Sequence, residues 1–326
     1  MEPAILAENI PNLPRPLTLE QQLVVNTWEA TGVAPYEYQV RNALALDAGR
    51  DVLCVAGTGS GKTLSFVMLC FLRPEVILWI VSPLNFIENQ QAEQFRKWGL
   101  RAVSVNSTTL TPNLLKDIKA GKYQVIISSP EAYQDTNKLR PALLSPELAE
   151  RKQVTAIDEC HCIVMWGGSF RKAYERVGDM RAFMPNPDNS LMIAATATAS
   201  DIVKAATLHS LKIRSGYHLE NLGNFRRNLR YEVFPMSGGQ KSYDEVCKLL
   251  PPSTTPLSEV DQIVIFVEDY ITAHSVALAI RKHFGLSGKA ARDAIPQSQL
   301  DAIYQMQPCL YAWHAYRNLT HRAVYS

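Results

Sequence analysis

Two short segments of this 326-residue sequence carry side chains that can handle phosphate. The first is Ala56-Gly57-Thr58-Gly59-Ser60-Gly61-Lys62-Thr63. Its glycines permit a loop whose backbone N–H groups turn inward around an anion, and a helix opening at Lys62 would add its positive dipole end. Lys62 would reach the outer phosphates of a nucleoside triphosphate, and the Thr63 hydroxyl would coordinate magnesium. Thr58, Gly59, Ser60 and Gly61 complete the cradle. The alternative is a glycine-rich hairpin without a ligand, which does not explain the strand-like run before it or the apolar helix after it. The second segment is Asp158-Glu159, which ends an apolar run at residues 154–157. Adjacent carboxylates repel each other unless a cation or a positioned water uses them. Asp158 suits a magnesium-bound water, and Glu159 suits the general base that orients an attacking water. The bland alternative is a solvated acidic turn. His161, beside the pair, either links it to another segment or is a satisfied structural histidine.

Positioning these groups calls for a particular scaffold. Residues 51–56, 76–82, 102–106, 123–129, 154–157 and 191–195 are short apolar or β-rich runs that read as buried strands. Between them, 62–72, 86–98 and 114–120 read as helices. This alternation predicts an α/β fold with a parallel sheet covered by helices on both faces, and both phosphate-handling segments then fall at carboxyl ends of strands. Residues 215–230 are polar and basic without strand character and read as a linker. Beyond it, 230–234 suggests a strand, 242–250 a helix, 251–258 a loop, 262–267 a buried strand and 271–283 a helix.

Composition narrows the setting. Hydrophobic residues make up 47% and charged residues 20%, and the formal net charge is +2, so nucleic-acid contact must come from a local surface. The six cysteines form no C-x-x-C pair, which argues against a disulfide framework or a zinc module. Cys160 and Cys162 flank His161, but no second ligand pair follows at finger spacing. Residues 1–16 do not read as a signal peptide. The apolar stretch 64–72 is broken by Arg73-Pro74-Glu75 before it could span a bilayer. A reduced, intracellular compartment without membrane attachment is the expectation.

Asp158-Glu159-Cys160-His161 downstream of this loop resembles the DEAD/DEAH-type helicases of superfamily two. The continuation Cys162-Ile163, then Trp166-Gly167, then Phe170-Arg171, resembles the RecQ family. Tyr36-Glu37-Tyr38-Gln39, Ser82-Pro83-Leu84, Ser128-Ser129-Pro130-Glu131, Ala195-Thr196-Ala197-Thr198-Ala199 and Asn224-Phe225-Arg226-Arg227-Asn228-Leu229-Arg230 fall in the family's order. The chain departs from the family at Val164-Met165 and Gly168-Ser169, where Ser-Gln and His-Asp are usual. It also has Tyr36 where an arginine is usual.

The resemblance implies ATP and Mg2+ as cofactors, single-stranded DNA or a single/double-strand junction as partner, and 3′–5′ helicase activity with ATP hydrolysis. It implies that Lys62, Asp158, Glu159 and His161 are catalytic and that Gln39 reads adenine, while Tyr36, standing in place of the usual arginine, would stack on adenine instead. Ser82, Pro83, Ser129, Pro130, Trp166, Phe170 and Arg171 would meet the strand. Thr196 and Thr198 would bond back to the acid pair. For Phe170 a core role, and for the threonines a structural one, are the alternatives. Family roles in DNA repair and recombination, and the nucleus as location in a eukaryote, follow from the same resemblance.

On this basis residues 1–20 form an N-terminal extension, 21–220 a helicase ATP-binding RecA-like domain and 221–326 a partial second RecA-like lobe. Arg292, Arg317 and Arg322 do not lie beside a glycine, and no segment resembles the family's late arginine-finger motif. The expectation is ATP·Mg binding with impaired hydrolysis and unwinding, and a poorly packed tail beyond Gly285. Two competing readings are a non-catalytic ATP/DNA-binding scaffold and an RNA-directed DEAD-box relative.

Overall fold

A strand buried along its whole length must be covered on both faces, and five such strands form the centre of this protein. In the computed structural model, Ile77–Val81 and Gln153–Ile157 are buried at every position. The structure describes residues 1–83, 85–106, 108–166, 172–223, 229–234, 243–256, 259–261, 263–267, 269–285 and 324–325. The chain divides into two compact units, Met1–Phe225 and Arg226–Ser326.

The first unit runs α1 (Leu19–Thr31), α2 (Glu37–Asp47), β1 (Val52–Val55), α3 (Lys62–Leu72), β2 (Ile77–Val81), α4 (Asn85–Lys97), β3 (Ala102–Val105), α5 (Pro112–Lys119) and β4 (Val125–Ser128). It continues through α6 (Pro130–Gln134), α7 (Arg140–Leu143), β5 (Gln153–Ile157), α8 (Cys162–Trp166), α9 (Lys172–Glu175), α10 (Met180–Phe183), β6 (Ser190–Thr196), α11 (Asp201–Ser210) and β7 (His218–Asn221). The seven strands form one sheet in the order β3-β4-β2-β5-β6-β1-β7, every pair parallel. All six strands expected from the sequence between residues 51 and 195 are present.

Side chains alternate between two cores, as the period of a strand requires. Cys54, Leu78, Ile80, Val154 and Ile193 pack with α1, α2 and α3 on one face. Leu53, Trp79, Val81, Ile157 and Met192 pack with Tyr133, Leu143 and Met180 on the other. Helix α1 starts with a reciprocal cap, in which Gln21 N–H donates to Thr18 Oγ1 (3.2 Å) and Thr18 N–H donates to Gln21 Oε1 (2.9 Å). The amino-terminal residues are part of this packing: Ile10 is buried in the α1–α3 core, and Pro3 bridges Tyr36.

The amino ends of β1, β6 and β7 are tied by one buried carboxylate. Asp51 accepts both oxygens' worth of contact from Arg181 Nη2 (2.8 Å each) and takes the backbone N–H groups of Met192 and Arg214 (2.9 Å each). Burial alone would raise its carboxyl. The Arg214 N–H, the Arg181 guanidinium and the Met192 N–H outweigh that and hold it below the ordinary carboxylate range.

Three expectations are corrected. Residues 215–230 are not simply a linker, because β7 lies inside them and pairs with β1. Only Glu220 of its four residues is buried, so the run has no apolar signature. An edge strand held by ladder bonds and by the Arg41–Glu220 pair needs none. Tyr231, Val233 and Phe234 form no strand and are exposed, since β-propensity without a partner to pair with does not make a strand. The strand expected at 262–267 is only β8 (Val264–Ile265), and Val264 is 47% exposed rather than buried.

The second unit, by itself, has α12 (Asp244–Lys248), β8, α13 (Tyr270–His283) and β9 (Val324–Tyr325), with β8 and β9 antiparallel. Asp269 caps α13 by accepting from Thr272 N–H (2.8 Å), and His283 Nε2 contacts the Pro251 carbonyl (2.8 Å). The expectation for the tail beyond Gly285 lies outside the described residues apart from β9. Residues 224–228 lie outside them as well.

Candidate nucleotide site

The site is built at the carboxyl ends of three adjacent strands. β1 leads into the glycine loop, β5 ends in Asp158, and β6, which lies between them, ends in Thr196. The loop closes because Gly59 and Gly61 take positive φ (77° and 85°), a conformation that costs a residue with a Cβ. Gly61 then caps α3, so Lys62 and Thr63 stand in its first turn. The Lys62 ammonium donates to the carbonyls of Ala56 (3.0 Å) and Gly57 (3.4 Å), spanning the loop from inside. Thr58 and Gly59 are exposed at the loop's rim.

Helix α2 braces this loop from behind. Gln39 Nε2 donates to the Gly61 carbonyl (2.8 Å), while its Oε1 accepts from the Tyr36 N–H (2.8 Å). Tyr38 donates its hydroxyl to the Ser60 carbonyl (2.9 Å). Burial pushes that phenol up to about 12, so it remains a neutral donor. Gln39, read from the sequence as an adenine contact, is thus committed at both ends of its amide to backbone. Tyr36 lies beside Tyr38, with ring centroids 6.4 Å apart and planes 17° from parallel. Chain near the amino terminus runs against the same residues, with Ala4 N–H donating to the Pro35 carbonyl (2.8 Å).

Glu159 follows Asp158 with φ 49°, a left-handed conformation that turns the chain sharply off the end of β5. Its N–H donates to Asp158 Oδ1 (3.0 Å), and Gln91 Nε2 from α4 approaches Asp158 Oδ2 (3.5 Å). Burial and the neighbouring Glu159 charge raise the Asp158 carboxyl, and the positive charge of Lys62 pulls it back. Glu159 moves the other way: its bond to His161 lowers it against the cost of burial, again with help from Lys62.

His161 Nδ1 lies 3.2 Å from Glu159 Oε2 and 2.9 Å from Thr196 Oγ1. The Thr196 hydroxyl donates to the Thr198 carbonyl (3.1 Å) and accepts the Thr198 N–H (3.2 Å). A carboxylate can only accept, and the Thr196 proton already has an acceptor, so the proton between them belongs to Nδ1. Cys162 Sγ lies 3.7 Å from the other ring nitrogen. Thr198 takes part through its backbone.

The remaining expected residues spread along the same end of the sheet. Ser82 N–H donates to the Ser128 carbonyl (3.1 Å), which joins the ends of β2 and β4. Ser82, Pro83 and Pro130 are buried, and Ser129 is partly exposed. Phe170 and Arg171, and the side chain of Trp166, lie outside the described residues. Sequence reading missed Tyr38 and Gln91, and nothing in their spacing marks them, because each acts through a contact distant in sequence.

The residues fit a triphosphate with a divalent cation. Ser60 Oγ is buried in the loop without a hydrogen-bond partner among the described residues. The loop carries its backbone at a helix start, and a carboxylate waits across β6 from Thr63.

A parallel sheet with these two segments at its carboxyl edge defines a P-loop nucleotide-binding domain of RecA-like type. The family model of the DEAD/DEAH box helicase matches residues 36–205, more than half of the chain, and the chain belongs to that family. It is 28% identical over 208 residues to the ATP-dependent DNA helicase RecQ of Pasteurella multocida, covering 62% of this chain and 30% of that protein. It is 28% identical over 229 residues to the ATP-dependent DNA helicase Q-like 2 of Arabidopsis thaliana, covering 68% of this chain and 32% of that one. The chain therefore spans about a third of the length of these curated relatives. The crystal structure of the helicase MrfA shares the fold, with a TM-score of 0.57 and 15% identity over 86% of this chain and 44% of that one. Among the described residues no helix is long and apolar enough to cross a membrane.

Proposed function

We propose that this chain is a RecQ-like, ATP-dependent DNA helicase domain of the 3′–5′ kind that binds ATP with magnesium and nucleic acid. The observation that carries it is the placement of the glycine loop with Lys62 and of Asp158-Glu159 at the carboxyl ends of β1 and β5, on either side of β6 in one sheet. Residues 21–220 form the ATP-binding domain, and 221–326 belong to a second RecA-like lobe. Bound between Thr63 and Asp158, magnesium would neutralise phosphate charge as a Lewis acid.

The chain's own groups do the rest. Ser60, Gly61 and their neighbours offer backbone N–H groups to the phosphates, and Lys62 exchanges its loop carbonyls for phosphate oxygens. Glu159, held ionised by His161, orients the attacking water and takes its proton. Thr196 joins that histidine to the loop after β6, so nucleotide contact and loop position are linked. Ser129 offers its hydroxyl to the strand, and by family resemblance the Trp166 side chain, Phe170 and Arg171, all outside the described residues, contact it too. The names of the RecQ relatives, which call them DNA helicases, support DNA as the substrate.

The test is ATP hydrolysis by the full chain with and without single-stranded DNA, beside Lys62→Ala and Glu159→Gln. Stimulation lost in both variants supports the motor. Nucleotide binding with no turnover under any condition would favour a scaffold, and preference for an RNA strand in competition would move the chain to RNA-directed relatives.

A further inference from the structure

We propose that Gln91 is a positioning residue for the metal-binding carboxylate: its amide nitrogen holds Asp158, and its carbonyl oxygen accepts a hydrogen bond from a water bound beside it. The inference rests on the ATP–magnesium reading above.

Asp158 has two oxygens, and each has one donor among the described residues. Oδ1 takes the Glu159 N–H at 3.0 Å, a contact made by the chain with itself at the turn. Among the described residues Oδ2 is approached only by Gln91 Nε2, at 3.5 Å, from a helix that leaves the neighbouring strand β2. That distance is at the long end for a hydrogen bond, as expected where the contact tightens on loading. The orientation of the amide follows from charge, because turning it over would set its oxygen against a carboxylate oxygen.

The other end of the amide is what calls for a partner. Gln91 Oε1 is buried and has no hydrogen-bond partner among the described residues. A buried acceptor without a donor is costly and is usually satisfied by water or ligand. Because oxygen and nitrogen share one amide, whatever donor reaches Oε1 stands next to Asp158. Magnesium typically keeps several of its waters when bound through one or two carboxylates, and such waters are strong donors. Side chains that hold ligands and waters in place from behind typically set metal affinity.

The test titrates magnesium against binding of a fluorescent ATP analogue to the full 326-residue chain, with wild type, Gln91→Met and Gln91→Ala. Gln91→Met keeps length and packing and removes both polar ends. The expected result is that both variants need about ten-fold more magnesium for half-maximal binding. Affinity should return at high magnesium, with metal-free binding and melting temperature as in wild type. An unchanged magnesium requirement overturns the inference, as does a loss of affinity equal with and without metal. A wild-type chain that binds no nucleotide at all overturns the proposed function itself, and this inference with it.

Discussion

Gln39 donates to the carbonyl of Gly61 at 2.8 Å, fastening helix α2 to the residue that opens α3. A Cβ on Gly61 would come within 2.8 Å of that amide nitrogen, and the glycine's φ of 85° disfavours any side chain. Loop shape is therefore set from two sides. Gln39→Ala should lower stability by about 1–3 kcal/mol, because it leaves the Gly61 carbonyl without its donor. It should also weaken ATP binding, as read by calorimetric titration and thermal melts. Gly61→Ala should lose nucleotide binding more completely than Gln39→Ala does.

Glu159→Gln should keep ATP binding and lose hydrolysis by about 10²–10⁴-fold, the range for removing a general base. Single-turnover hydrolysis beside equilibrium binding separates the two effects. Equal losses in both would show that Glu159 holds the loop rather than the water.

His161→Ala removes the group that touches Glu159 Oε2 and Thr196 Oγ1 together. Hydrolysis should fall while ATP affinity changes little, and stimulation by single-stranded DNA should fall further than the basal rate. Thr196→Val, which keeps the shape of the side chain, should reproduce the loss of stimulation. If Thr196→Val behaves as wild type, the histidine acts on Glu159 alone.

Asp51→Ala should destabilise the first unit by about 3–5 kcal/mol, since it leaves Arg181 buried without its partner. The carboxyl sits below 3.8 in the folded state, so its contribution is complete above that unfolded value and is lost as pH falls through the folded one. Acid unfolding of wild type should accordingly steepen below about pH 4, and the variant should lack that component. Circular dichroism across a pH series measures it.

The central sheet was legible because buried parallel strands have a composition of their own. Ile77–Val81 reads Ile-Leu-Trp-Ile-Val, and no other element tolerates so little polarity in so short a run. The loop and the acid pair were legible for a related reason, being local in sequence and bounded by such strands. Helix α3 even begins and ends where the sequence put it, because Gly61 and Arg73-Pro74 punctuate it. What stayed hidden depends on partners far along the chain. β7 is polar, and its identity comes from β1 and from Arg41, 179 positions from Glu220. Gln91 and Tyr38 are ordinary helix residues until the fold carries Asp158 and Ser60 to them. In the second unit, Tyr231, Val233 and Phe234 have strand chemistry but pair with no strand among the described residues.

The carboxylate of Asp51 binds the sheet at the end opposite the nucleotide site, gathering β1, β6 and the approach to β7 at one point. A sheet clamped at one edge behaves like a comb held by its spine. The teeth at the far edge can shift by small amounts, while the base keeps their spacing. Amide protons near Val52, Met192 and His218 should then exchange with solvent most slowly, and exchange should quicken toward Val55, Thr196 and Asn221. The glycine loop and the turn at Asp158-Glu159 stand at the loose ends of strands whose other ends Asp51 holds.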